Sequence, residues 1–137
     1  MIPINNIKEF FAKRNRFAAK TGIEILEVSE GRARAKMEIR EEHLNGVGTV
    51  QGGAIFTLAD LAFAVATNSH GTVAVGINAN ISYIKAVSRG TLFAEAVEES
   101  VGSKIGTCTV RVTDQNRDLI ATFQGTVYRK KDRLEDL

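Results

Sequence analysis

AIFTLADLAFAVATNS, residues Ala54 to Ser69, decides how this chain is built. Wound as an α-helix, it is apolar on every side, and such a helix has to be surrounded by protein rather than lie on a surface. The stretch therefore predicts a central, buried helix. The apolar run from Gly52 to Thr67 carries Asp60 in its middle and falls short of the about 20 apolar residues that a bilayer crossing wants, so no membrane span is expected.

Downstream of this helix, Thr72 to Lys85, Thr91 to Glu99, Lys104 to Thr113 and Leu119 to Tyr128 are rich in Val, Ile, Thr and Phe and read as strands. They are separated by the turn residues Ser88-Arg89-Gly90, Gly102-Ser103 and Asp114-Gln115-Asn116. Upstream, Glu41 to Gly53 shows no period of either kind and holds four glycines, which predicts an irregular loop. Before it, Ile23 to Val28 and Arg32 to Ile39 alternate apolar and polar residues around Ser29-Glu30-Gly31, the pattern of a β-hairpin. Asn5 to Lys20 reads as one amphipathic helix stopped by Gly22. The charged tail from Arg129 to Leu137 is expected to fray. This order implies a single α+β domain over residues 1–137, with an antiparallel sheet of about six strands curling round a long helix. A parallel βαβ sheet is excluded by the same order, and no repeat or linker interrupts the chain.

The composition excludes several classes of partner. Lys plus Arg number 18 against 16 for Asp plus Glu, and a net charge of +2 makes no case for nucleic acid. The single cysteine, Cys108, cannot form an intrachain disulfide, and no secretory leader is recognisable, so a reducing, cytoplasmic setting is expected. Neither His43 nor His70 has a second ligand at metal-binding spacing; both read as surface or loop residues, and no metal is expected. There is no Gly-x-Ser-x-Gly elbow, and Cys108 sits in a strand without an evident partner, which disfavours serine and cysteine nucleophiles.

Asp60 is the residue out of place. A carboxylate inside an apolar helix survives only with hydrogen-bond partners or a chemical task. It is either a structural residue bonded to backbone or a base or nucleophile tuned by a dry pocket. Gly52 and Gly53 stand where the loop enters the helix, so the unpaired N–H groups of the first turn can hold a developing oxyanion and a carbonyl can approach closely. At ~1.5 Å rise per residue, Asp60 lies ~12 Å from Gly52 along the axis, so the two cannot reach one carbonyl carbon. A second helix packed antiparallel across a two-fold axis would bring Asp60 of one copy to Gly52 of the other. Catalysis by this pair demands a dimer.

Asn45-Gly-Val-Gly-Thr-Val-Gln51-Gly52-Gly53, then Phe56-Thr-Leu-Ala-Asp60-Leu-Ala-Phe-Ala and Thr67-Asn-Ser69, resembles the PaaI-like hotdog thioesterases. The resemblance implies a hotdog fold and hydrolysis of acyl-CoA thioesters, including aryl-acetyl ones such as phenylacetyl-CoA. It implies a homodimer paired into a homotetramer, with active sites between subunits. Coenzyme A is then part of the substrate and no separate cofactor is implied. Carried over by position, Gly52 polarises the thioester carbonyl, Asp60 acts as nucleophile or as base for water, and Asn45 holds the water or the carboxylate. Gln51 departs from the family, which often has histidine there; glutamine hydrogen-bonds but does not titrate. Some relatives use a Ser or Thr on the strand after the helix, where this chain has Gly76. Gly53, Lys85, Arg89 and Lys104 are candidate substrate contacts, the three cations for the phosphates of coenzyme A.

Two other readings stand beside hydrolysis. An enoyl-CoA hydratase or dehydratase on the same fold would want a His paired with an acid, and no His stands at the helix entrance. A noncatalytic acyl-CoA binding module would have no need of a buried acid. Phe56, Leu61, Phe63 and Phe93 are read as core packing before acyl-pocket lining.

Overall fold

The computed structural model describes residues 2–137. The amphipathic N-terminal segment forms two helices rather than one, α1 (Ile4–Arg14) and α2 (Arg16–Thr21). The break is at Asn15, whose ψ of 73° leaves the helical region; its N–H bonds to the carbonyl of Phe11 while its own carbonyl accepts from Ala19. Asparagine in a helix readily trades helical bonds for local ones. Gly22 ends α2 in the left-handed conformation, at φ 84°, where a side chain would be strained.

Six strands follow the helices: β1 (Ile23–Ser29), β2 (Arg32–Glu38), β3 (Thr72–Tyr83), β4 (Thr91–Val101), β5 (Ile105–Asp114) and β6 (Leu119–Arg133). They make one antiparallel sheet in the order β1-β2-β4-β5-β6-β3. Between β2 and β3 runs α3 (Gly52–Asn68), the long apolar helix, so β3 is delivered to the far edge of the sheet and α3 crosses its inner face. Leu58, Ala59, Ala62, Val65 and Ala66 of α3 are buried together with Ala35, Ala94, Ala96, Val110 and Ala121 of the strands. The small strand residues let the helix approach closely. Each large side chain buried there, such as Leu58, contributes on the order of 1.5–3 kcal/mol.

Two strand glycines set the helix's position. A Cβ on Gly125 of β6 would lie 2.5 Å from the ring of Phe63, and one on Gly76 of β3 would lie 3.2 Å from it. The Phe63 ring therefore fills the space left by two missing side chains. A serine or threonine at position 76 of β3 would press on that ring.

The tail does not fray where expected. Arg129 to Arg133 continue β6 alongside β3 through a register shift, Arg129 opposite Ala74 and Arg133 opposite Thr72, and Leu134 is buried, its N–H bonded to the carbonyl of Gly71 at 3.0 Å. One apolar side chain among charges anchors the segment. Among the described residues, no helix is long and apolar enough to cross a membrane.

The central helix is not enclosed on all sides. Gly53 and Asp60 are exposed and Thr57 and Ala64 half-buried, and these positions share one face at helical spacing. Nothing in the chain's own sheet covers that stripe fully.

Candidate active site

The two ends of α3 are finished differently. At its C-terminal end Asn68 donates from Nδ2 to the carbonyl of Ala74 at 3.0 Å and accepts at Oδ1 from the Ala74 N–H at 2.8 Å. Ser69 Oγ accepts from the Gly31 N–H at 2.8 Å and donates to the carbonyl of Ala66. Arg129 Nη1 donates to the carbonyl of Thr67 at 2.9 Å, placing a cation at the negative end of the helix dipole. That guanidinium is paired with Glu98, whose side chain is 3% exposed and also meets His70 Nε2. His70 is thus a half-buried partner of Glu98 rather than a free surface residue.

The N-terminal end has no such closure. Gln51 precedes the helix without a side-chain cap; its backbone carbonyl accepts from Ala54 and Ile55 and its N–H donates to the carbonyl of His43. The N–H groups of Gly52 and Gly53 meet no acceptor among the described residues. A Cβ on Gly53 would find open space apart from Gln51, whereas one on Gly52 would stand 2.9 Å from the phenol of Tyr83. Tyr83, at the end of β3, donates its O–H to the Gly52 carbonyl at 2.9 Å.

The loop that presents this end is held from within. Asn45 Oδ1 accepts from the N–H groups of Val47 and Thr49, and its Nδ2 donates to Thr49 Oγ1 at 2.9 Å. The Asn45 side chain is therefore engaged inside its own turn. His43 is buried, not a surface residue. Its Nδ1 accepts from the Arg40 N–H, so the proton sits on Nε2, which donates to the carbonyl of Thr21 at 2.6 Å. The imidazole ties the loop to the end of α2.

Asp60 lies on the open stripe of α3, and no side chain among the described residues pairs with its carboxylate. The expectation that the chain itself buries it does not hold. The apolar surface beside it nevertheless pushes its pKa above the ordinary aspartate value through loss of solvation. The shift makes the ionised carboxylate a stronger proton acceptor than an ordinary aspartate.

The remaining candidates are not gathered in one place. Lys85 follows Tyr83 at the N-terminal end of α3 and is paired with Asp118 at 2.7 Å. Arg89 lies in the following loop, which reaches the same end through the bond from Val50 N–H to the Val87 carbonyl. Lys104 sits at the β4–β5 turn, where its carbonyl accepts from Arg129 at the opposite end of the helix. The cations of one chain thus occupy two ends of the fold. Sequence reading also passed over Phe17, which is 74% exposed and flanks a recess of about 310 Å³ with Gly53, Ala54 and Thr57.

Residues 47–121 match the family model of the thioesterase superfamily. The chain is 34% identical over 113 residues to the acyl-coenzyme A thioesterase PaaI of Escherichia coli, covering 82% of this chain and 81% of that protein. It belongs to the PaaI-like thioesterases. The solved structure of E. coli PaaI superposes with a TM-score of 0.91 at 29% identity, over 95% of each chain. This PaaI-like thioesterase is also 42% identical over 127 residues to a putative esterase of Archaeoglobus fulgidus, covering 92% and 82% of the two chains. A Streptococcus mutans protein solved with acetyl-CoA bound matches at TM-score 0.78 and 26% identity, over 81% of this chain and 90% of that one. The fold is accordingly the hotdog fold, with the thioesterase motif on the open end of its helix.

Proposed function

We propose that this PaaI-like thioesterase hydrolyses acyl-CoA thioesters to the free acid and coenzyme A at sites shared between two copies of the chain. One observation carries the reading. An unpaired carboxylate and two unpaired backbone amides stand at the same open face of one helix, separated along its axis by ~12 Å. A second copy running antiparallel closes that distance, so that Asp60 of one subunit faces the Gly52 amide of the other.

The free edge of β3 supports a second copy. This strand pairs on one side only, with β6, and exposes Val75 and Ile77. An open edge carrying apolar side chains is a template for strand pairing with another chain. Pairing there would continue the sheet and bring the two α3 stripes together in a homodimer, which in turn can pair into a homotetramer.

In the assembled site the Gly52 amide polarises the thioester carbonyl. Asp60 takes a proton from water as the water oxygen attacks the carbonyl carbon, and the tetrahedral oxyanion is held by the amides. Collapse breaks the C–S bond, and the proton returns to the departing thiolate. Direct attack by the carboxylate, through an anhydride that water then opens, uses the same placement. The hydratase reading loses support because both ring nitrogens of His43 are engaged, by the Arg40 N–H and the Thr21 carbonyl, and His70 pairs with Glu98 at the far end of α3. An aryl-acetyl group such as phenylacetyl is the favoured acyl class, supported by the similarity to E. coli PaaI, a protein of the phenylacetic acid degradation operon.

The test is thiol release from a panel of short, long and aryl acyl-CoAs by the wild type and Asp60→Asn. The expected result is hydrolysis by the wild type and a loss of roughly 10²-fold or more in the variant. Wild-type rates in Asp60→Asn would move the chemistry to another residue.

A further inference from the structure

Tyr83 reaches the open amide end of α3 from the sheet, and the catalytic reading leaves it without a role; Thr57, from within the helix, donates to the next carbonyl, that of Gly53, at 2.7 Å. The Tyr83 phenol donates to the carbonyl of Gly52 at 2.9 Å. That carbonyl and the N–H of Gly53 belong to the same planar peptide unit. Hydrogen bonds polarise one another along a chain, so a donor on the C=O side makes the N–H side a stronger donor. The ring fixes the peptide's position as well, because it occupies the space where a Cβ on Gly52 would stand, 2.9 Å from Cζ.

The placement of Tyr83 follows from the sheet. It pairs with Ala121 of β6, as Ile81 pairs with Phe123 and Ala79 with Gly125, and Ala121, Phe123 and Gly125 all face the helix. Tyr83 is therefore the last inward-pointing residue of β3, and it reaches the helix where its first turn begins. A phenylalanine would pack there equally well. The hydroxyl adds one hydrogen bond, to one carbonyl, at the site of the developing charge.

We infer that Tyr83 is a positioning residue of the oxyanion site, which orients and polarises the Gly52–Gly53 peptide so that the Gly53 N–H joins that of Gly52 in holding the tetrahedral intermediate. The inference rests on the thioesterase reading and assigns the second donor within it. Charge collects on the thioester oxygen only as the tetrahedral state forms, so a strengthened donor raises kcat and leaves ground-state binding almost untouched.

The experiment compares wild type, Tyr83→Phe and Asp60→Asn on one acyl-CoA that the wild type hydrolyses. Removing an oxyanion donor outright costs roughly 10² to 10³ in kcat. Tyr83 acts through a donor that remains, so Tyr83→Phe is expected to lose about 5- to 20-fold in kcat with KM within about twofold. The acid limb of its pH profile stays where it is in the wild type. In a proton–nitrogen correlation spectrum the Gly53 amide shifts more than its neighbours, a readout that general loosening of the fold would not single out. Wild-type kcat in Tyr83→Phe, or a Gly53 resonance that does not move, overturns the inference while inactivity of Asp60→Asn leaves the catalytic reading standing. Full activity in Asp60→Asn removes that reading and the inference with it.

Discussion

The ring of Phe63 lies where a side chain on Gly125 would have to go, with a Cβ there only 2.5 Å from its Cε1 and Cζ atoms. This contact between helix and sheet sets how α3 sits over β6 and β3, and with it the direction in which the helix presents Asp60. Gly125→Ala must move the ring or the strand, and overpacking of this kind costs typically about 1–3 kcal/mol. Urea unfolding is expected to show that loss, and Phe63→Leu in the same chain is expected to recover part of it. An unchanged midpoint in Gly125→Ala would mean that the ring has somewhere else to go.

The acid limb of the rate is expected to lie above the ordinary aspartate range, because desolvation raises the Asp60 pKa and the working form is the ionised one. kcat/KM therefore rises with pH through that value. Stability moves the opposite way. Between the unfolded and the raised folded pKa the folded state holds more protons than the unfolded one, so stability falls as pH rises through the window. Asp60→Asn is expected to unfold at the same temperature as wild type or slightly higher at pH 7 while losing activity. A melting point well below wild type would make Asp60 a structural residue.

Cys108 is fully buried and its thiol is pushed up to about 12, first by burial and then by the charge of Glu98. Since the thiolate is the reactive form, a disulfide-exchange reagent is expected to react with the native protein only at the rate of opening, and at once after denaturation. Rapid stoichiometric reaction of the native protein would contradict the packing of β5 against the helix.

A charge placed on the open edge of β3 is expected to weaken association. Ile77 is 56% exposed on that strand, and Ile77→Lys should raise the dissociation constant of the oligomer by about 10-fold or more, equivalent to about 1.4 kcal/mol. Light scattering and thiol release measured on the same dilution series check this. Activity should fall with dissociation; a fully active monomer would show that Asp60 needs no partner subunit.

Breaking the closure at the other end of α3 should cost stability more than chemistry. Asn68→Ala removes two hydrogen bonds to Ala74 and leaves buried backbone groups unpaired, a loss of about 1–3 kcal/mol. Its kcat at a temperature well below unfolding is expected to stay near wild type. A selective loss of kcat would mean that the two helix ends are coupled.

Residues Ala54 to Ser69 were enough to identify a central helix, and the alternating segments around them were enough for an antiparallel sheet, because burial writes a period into the sequence. The glycine-entered helix with its one acid was legible for the same reason: a charge among apolar residues stands out wherever it lies. What a single chain's pattern does not record is which contacts its neighbours make. The hold of Leu134 on the tail, the burial of His43 and the separation of Lys104 from Lys85 all depend on residues distant in sequence. So does the meeting of Tyr83 with Gly52, 31 positions apart. Periodicity determined the elements and the chemistry they carry; packing alone decided which faces stayed open, since exposure is a property of what covers a residue and not of the residue itself.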